Sequence, residues 1–313
     1  PPASRERFVT AARADGRRLL RAGKAAAAKS RLLPAAALGD AEAKDALLEA
    51  YRALPRYADV LLAPELPDES LPDLCGDAAA CRLLQLGLAE DAEPIVREAR
   101  RLDTLLGSLV AARLAEDAGA GPAALEAAEA VSRKVPRDFL LELAPRTIRR
   151  GLAPRPFDRL VAQAAAELGV PRDLLYAVMR QESRFDREAA SPAAARGLMQ
   201  LTLPAAGEAA RDLNEEPPAY SDLYDPARSI RLGARTLRTL LDRFDGDATR
   251  AASGYNAGAG QTVLWSGGSD RPAEALLAAI SYAETRTYVR RVLANRRAYR
   301  LALPEAEAIG GRR

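Results

Sequence analysis

Helix formers run through this chain almost without interruption, and that limits the folds open to it. Ala, Leu, Arg and Glu dominate, aromatic residues make up only 5%, and runs of β-branched residues are scarce. Such a sequence has little to build a sheet with, so it predicts an all-α fold. Helical windows fall near residues 5–30, 40–53, 77–87, 90–117 and 122–134. Breakers separate them: Pro34 with Gly39, the proline-rich "APELPDESLPDLCG", and "GAGP" at 119–122. Short helices with short breaks predict stacked helical hairpins. No fixed repeat period emerges, so a tetratricopeptide-like solenoid stays one option among several.

At 313 residues and 48% hydrophobic content the chain can build two cores. The composition changes near residue 150, where "RRGLAPRPFDRL" carries Pro154 and Pro156. Residues 1–150 are therefore expected to form a superhelix-like α-helical scaffold, and residues 151–313 a second domain. Seven of the nine tyrosines and the only tryptophan, Trp265, lie from residue 176 onward. Aromatic rings with a polar tip suit a carbohydrate groove. Chemistry is expected in the second half.

Several function classes drop out. There is no histidine, which removes Ser-His-Asp and Cys-His catalysis and almost all catalytic zinc sites. No metal and no cofactor is expected, and acid–base work falls to carboxylates, Lys, Tyr or Cys. The net charge of +3 is mild, and no Lys/Arg run is interleaved with aromatics, so nucleic acid is not an expected partner. No apolar run approaches the length of a membrane span. The only cysteines, Cys75 and Cys81, sit in "CGDAAAC". They read either as two small buried residues or as a short-loop disulfide, which would imply an oxidising compartment. "PPASRERFVT" is not a signal peptide, which leaves a cytoplasmic protein or a processed chain.

In "LLYAVMRQESRFD", residues 174–186, helical spacing puts Leu175, Val178, Glu182 and Phe185 on one face. A glutamate thus stands in an apolar stripe, near the C-terminal end of the helix. Poor solvation and the negative helix end both disfavour its charged form and raise its pKa, as a general acid needs. The plainer alternative is a buried glutamate neutralised by Arg180 or Arg196. Two further stretches follow. "ASPAAARGLMQL" holds a turn at Ser191-Pro192, a close backbone approach at Gly197, and Gln200. "SGYNAGAG" reads as a loop that presents Tyr255 and Asn256 before two glycines. Amides, hydroxyls and one proton donor are the groups that an N-acetylated sugar requires. Each loop alone is more often an ordinary helix connection.

Taken together, these stretches resemble the catalytic domain of the soluble lytic murein transglycosylases, a lysozyme-like family that cleaves peptidoglycan. The likeness covers about residues 150–303. It rests on four motifs in the family's order: Glu182-Ser183; Ser191, Gly197, Met199 and Gln200; Tyr255-Asn256; and Glu284, Thr285, Arg286 and Tyr288 in "AAISYAETRTYVRRVL". The linking segment, with Asp225-Pro226 and Gly233, is similar too. The resemblance implies a lysozyme-like α-helical domain in which Glu182 is the single catalytic acid/base. It implies that Ser191, Met199, Gln200, Tyr255, Asn256 and Glu284 line the sugar site. Ser183, Gly197, Arg286 and Tyr288 take structural supporting roles. The expected substrate is the glycan strand of peptidoglycan, with cell-wall synthesis or secretion complexes as candidate partners. The expected location is the periplasm, after removal of a signal peptide. Departures occur at Thr202, Pro204, Gly254 and Ser281-Tyr282, where the family favours other residues; they touch subsites and leave the acid in place.

The family's reaction uses one carboxylate. Glu182 would protonate the departing oxygen, then take the proton of the same sugar's C6 hydroxyl as it closes on C1. Glu284 reads either as a supporting residue or as a second catalytic carboxylate, which would allow hydrolysis. The competing readings are therefore a muramidase on the same motifs, a peptidoglycan-binding scaffold without activity, and a cytoplasmic helical solenoid. The product's end group separates the first of these.

Overall fold

The computed structural model describes residues 2–66, 103–267 and 272–303, with scattered positions between 79 and 95. The described residues are built from helices, and the only β pairing among them is a pair of isolated bridges, Ala190–Arg196 and Arg196–Leu201. The Cys75 and Cys81 pair lies outside the described residues, as do most of the window expected to be helical at 77–87 and most of the first part of the one at 90–117.

The first half opens with α1 (Pro2–Arg21), α2 (Ala25–Ala37) and α3 (Ala41–Arg52). The single helix expected over 5–30 is in fact two, broken at Gly23, whose φ of 68° a glycine adopts without steric cost. Gly16 lets the pair close up: a Cβ there would lie 2.3 Å from the Leu32 side chain. Pro34, expected as a breaker, sits inside α2, and the chain turns only at Leu38-Gly39. Asp40 then caps α3, accepting the Ala43 N–H at 2.7 Å. After the short α4 (Ala58–Leu61) come α5 (Leu105–Asp117), α6 (Gly121–Lys134) and α7 (Arg146–Leu152).

The main hydrophobic cluster among the described residues of this half joins Leu32, Leu47, Tyr51 and Tyr57 to Val131, Phe139 and Ile148. Tyr51 stacks on Phe139 at 4.6 Å between ring centroids. Its hydroxyl donates to the Asp138 carbonyl at 2.8 Å and accepts the Leu140 N–H at 3.0 Å, so this buried phenol is fully satisfied.

The second half comprises α8 (Asp158–Leu168), α9 (Arg172–Ser183), α10 (Leu203–Asp212), α11 (Pro226–Arg243), α12 (Ala248–Ala257), α13 (Ala259–Ser266), α14 (Ala273–Ala279) and α15 (Ala283–Ala302). Sequence caps set their starts: Asp225 accepts the Arg228 N–H and Asp247 the Thr249 N–H. Pro204 stands in the first turn of α10, where its missing donor costs nothing.

The middle of this half is α9. Leu174, Leu175, Val178 and Met179 are fully buried in the second hydrophobic cluster. Each large apolar side chain contributes about 1.5–3 kcal/mol by leaving water. Along one flank α9 packs on α15, where Tyr176 stacks on Tyr299 at 5.0 Å and buried Asp173 pairs with Arg296 at 2.9 Å.

The two halves touch at the C-terminal end of α9. Leu125 of α6 joins the second cluster, Glu129 pairs with Arg184 at 2.9 Å, and Gly121 lies against Phe185. A Cβ on Gly121 would come 2.2 Å from the Phe185 carbonyl oxygen, so only glycine lets the first half approach this closely.

Candidate active site

The apolar face of α9 ends in Glu182, and the chain stops the helix just beyond it. Ser183 closes the last turn, donating its hydroxyl to the Met179 carbonyl at 3.2 Å and accepting the Phe185 N–H at 3.1 Å. Arg184 and Phe185 both take left-handed backbone, at φ 54° and 65°. Two adjacent non-glycine residues there are strained, and the full burial of Phe185 holds them in place.

Glu182 is partly buried. Neither arginine suggested as its counter-ion reaches it. Arg180 donates to the Leu152 carbonyl at 3.1 Å. Arg196 donates to the Ser191 and Ala195 carbonyls at 3.2 and 2.9 Å, with its guanidinium over the Tyr220 ring. The partner of Glu182 is instead Tyr288 of α15, whose hydroxyl donates to Glu182 Oε1 at 2.5 Å. Burial without a neutralising cation pushes the Glu182 carboxyl up to about 7, against a smaller downward pull from the Tyr288 hydrogen bond. The carboxyl is therefore protonated in a good fraction of molecules near neutral pH.

A second phenol, Tyr255, lies in the same surroundings. Burial and the Glu182 charge hold Tyr255 and Tyr288 well above the usual phenol range, so both remain proton donors. Tyr255 donates to the Met199 carbonyl at 2.8 Å. It sits with Asn256 on the last turn of α12, not in the loop expected from "SGYNAGAG"; the helix ends only at Gly258. Gly254 is what seats that helix, since a Cβ there would meet Leu240 at 2.7 Å.

The segment 189–201 folds back on itself through the two bridges at Arg196. Gly197 has φ 72°, and a Cβ there would lie 1.8 Å from the Leu223 carbonyl oxygen. Gln200, at φ 46°, turns its amide nitrogen inward to the Ala189 and Gly197 carbonyls, both at 3.0 Å. Those bonds occupy the nitrogen and leave the amide oxygen as an acceptor. Ser191 accepts the Ala195 N–H at 3.2 Å, and its own hydroxyl proton is available.

Met199 departs from the expected lining role. Its side chain is 0% exposed and fills the space above Gly233, where a Cβ would meet it at 2.5 Å. It serves the site through its backbone: the carbonyl receives Tyr255, and the N–H donates to Ser229 Oγ at 3.2 Å. Glu284 is exposed on the first turn of α15, one turn before Tyr288 and on the same face. Arg286 does not pair with it; it donates to the Ile280 carbonyl at 2.9 Å. Among the described residues no group of three or more Cys, Asp or Glu side chains is placed to hold a metal ion, and no helix is long and apolar enough to cross a membrane.

The direct partnership of Tyr288 with Glu182 was hidden in the sequence. The available signal was a tyrosine in an apolar stripe, which needs a hydrogen-bond partner when buried. It predicts a pH effect. Because the Tyr288 bond stabilises the charged form, Tyr288→Phe should raise the Glu182 pKa further, by about 1–2 units for a hydrogen bond to a charged group. In the parent, activity that needs protonated Glu182 should be present below pH ~7 and decline as pH rises through the Glu182 pKa. In the variant that decline should move to higher pH. A kcat/KM profile from pH 5 to 9 checks this; an unmoved or lowered alkaline limb excludes the assignment.

Part of the sequence, and the fold, have counterparts among known proteins. The family model for the transglycosylase SLT domain matches residues 159–278. The soluble lytic murein transglycosylase of Escherichia coli K12 is 31% identical over 152 residues, covering 47% of this chain and 23% of that protein. The peptidoglycan transglycosylase gp16 of Escherichia phage T7 is 36% identical over 108 residues, covering 34% of this chain and 8% of that protein. The chain spans about a quarter of the length of the soluble curated relatives it matches. Among solved structures, the 70 kDa soluble lytic transglycosylase of Escherichia coli shares the fold with a TM-score of 0.57 at 21% identity, over all of this chain and 50% of that one. The match to the transglycosylase SLT domain thus spans the segment that holds Glu182, Gln200 and Tyr255.

Proposed function

We propose that this chain is a peptidoglycan lytic transglycosylase. It cleaves the β-1,4 bond between N-acetylmuramic acid and N-acetylglucosamine and leaves 1,6-anhydromuramyl ends. The observation that carries this reading is Glu182: a carboxyl held near pH 7 by burial, with a tyrosine as its only hydrogen-bond partner among the described residues and no cation beside it. In the matched domain, that is the group expected to donate a proton to a departing sugar oxygen.

The chemistry follows from one carboxylate working twice. Protonated Glu182 gives its proton to the glycosidic oxygen as the bond to C1 breaks. The resulting carboxylate, stabilised by the Tyr288 hydroxyl, accepts the proton of the C6 hydroxyl as that oxygen closes on C1. The proton balance is restored, no water is consumed, and the nucleophile is already tethered, which supplies the advantage of an intramolecular reaction. Gln200 through its amide oxygen, Ser191 through its hydroxyl, Tyr255, Asn256 and Glu284 are assigned to the sugar site. Residues 1–150 act as the helical scaffold and residues 151–313 as the catalytic unit. The substrate and partner is the glycan strand, and the site of action is the periplasm.

The end group is the test. Mass spectrometry of muropeptides released from purified sacculi should show ends that borohydride does not reduce, lighter by one water than lysozyme products. Reducible ends would mean that a second carboxylate, with exposed Glu284 the first candidate, activates water as in a two-carboxylate glycosidase.

A further inference from the structure

Aromatic residues are scarce in this chain, and those of the second half are mostly buried: Tyr176, Phe185, Tyr288, Tyr299 and Trp265. Tyr282 is different. It is 54% exposed, yet its base is fixed from several sides. Trp265 meets its ring edge-on, with centroids 5.0 Å apart and planes at 87°. The Trp265 indole N–H donates to Ser281 Oγ at 3.1 Å, tying the indole to the residue just before Tyr282. Arg286 donates to the Ile280 carbonyl at 2.9 Å and holds the turn from the other side, and the Tyr282 carbonyl accepts the Arg286 N–H at 3.0 Å at the start of α15. An aromatic ring that faces water on so rigid a base loses little freedom when a ligand covers it.

Its place on α15 gives the ring a role. Tyr282 immediately precedes α15, and Tyr288, which bonds Glu182, lies six residues on. At 1.5 Å of rise per residue the two are about 9 Å apart along the helix axis, with Glu284 between them. Resting on the function proposed above, we infer that Tyr282 is a stacking platform for a pyranose ring of the bound glycan strand, one subsite removed from the cleavage point. A pyranose offers an apolar face of C–H groups ringed by hydroxyls. Tyrosine matches that with an apolar ring and a polar tip.

The chain carries its own reporter, because Trp265 is the only tryptophan and touches the platform. Binding is measured in an E182Q background, so that nothing is cleaved, using the tetramer of N-acetylglucosamine and soluble glycan strands as probes. Both should give saturable heats by calorimetry and a change in Trp265 emission. Y282A should weaken binding about tenfold, while Y282F, which keeps the ring, should stay within about twofold. With Glu182 intact, Y282A should raise KM and leave kcat nearly unchanged, which general loosening of the fold would not do. If the E182Q protein binds and Y282A binds as tightly, the platform is wrong and the proposed function stands. If the E182Q protein binds neither probe and the parent releases no muropeptides, both fall together.

Discussion

Glu182→Gln should leave the fold intact and nearly abolish release of soluble muropeptides. General acid catalysis contributes about 10²–10⁴-fold, and the loss should reach or exceed the upper end if one group performs both proton transfers. The substitution is nearly isosteric and keeps an acceptor for the Tyr288 hydroxyl, which donates to Oε1 at 2.5 Å in the parent. Stability distinguishes a catalytic loss from a folding loss. In the parent the folded carboxyl titrates near 7, well above the ordinary unfolded carboxyl value of about 4.3. A raised folded pKa contributes stability that is complete below the unfolded value and is lost as pH rises through the folded one. The parent should therefore weaken between pH ~4.5 and ~7.5, and the variant, with no proton to lose, should lack that part of the decline. Thermal melts across this range, beside turnover on sacculi, are the measurement. Substantial turnover by the pure variant would remove Glu182 from the mechanism.

Gly197→Ala should have the largest effect on stability. The residue has φ 72°, which costs a non-glycine residue about 1–2 kcal/mol before any contact is considered. The added methyl would also lie 1.8 Å from the backbone oxygen of Leu223, and backbone cannot swing aside as a side chain can. Relief would require the 189–201 segment to move. It would carry with it Gln200, whose amide bonds the Gly197 carbonyl, and the Met199 carbonyl that holds Tyr255. A loss of at least ~4 kcal/mol is expected, at the exceptional end for a single substitution. The melting temperature should fall by about 10 °C or more. Gly207→Ala is the matched comparison. Gly207 lies in the interior of α10 with nothing within 4 Å of the new methyl, so that variant should be more stable by about 0.5–1 kcal/mol. Melts of the two variants that moved in the same direction would contradict the geometry.

The sequence alone determined the fold class. Helix-forming residues left nothing to build a sheet, and capping residues such as Asp40, Asp225 and Asp247 placed helix starts, because caps and propensities act over three or four residues. The 3.6-residue period also placed Glu182 on a buried face, and it set Gly197 apart as a close approach. Local breakers were less reliable. Gly23 divided an expected helix and Pro34 did not, since hairpin packing decides which break is used. What only the tertiary structure decided is the company that Glu182 keeps. Its partner Tyr288 comes 106 residues later, on a helix brought alongside by the packing of α9 on α15. The two arginines near it in sequence point to backbone carbonyls instead, and Met199 spends its side chain in the core and gives the site a carbonyl. Periodicity fixes which way a side chain faces along its own helix. Which group waits on the other side is set by helices packing across long stretches of chain, and that partner decides whether a buried glutamate is a paired anion or an acid.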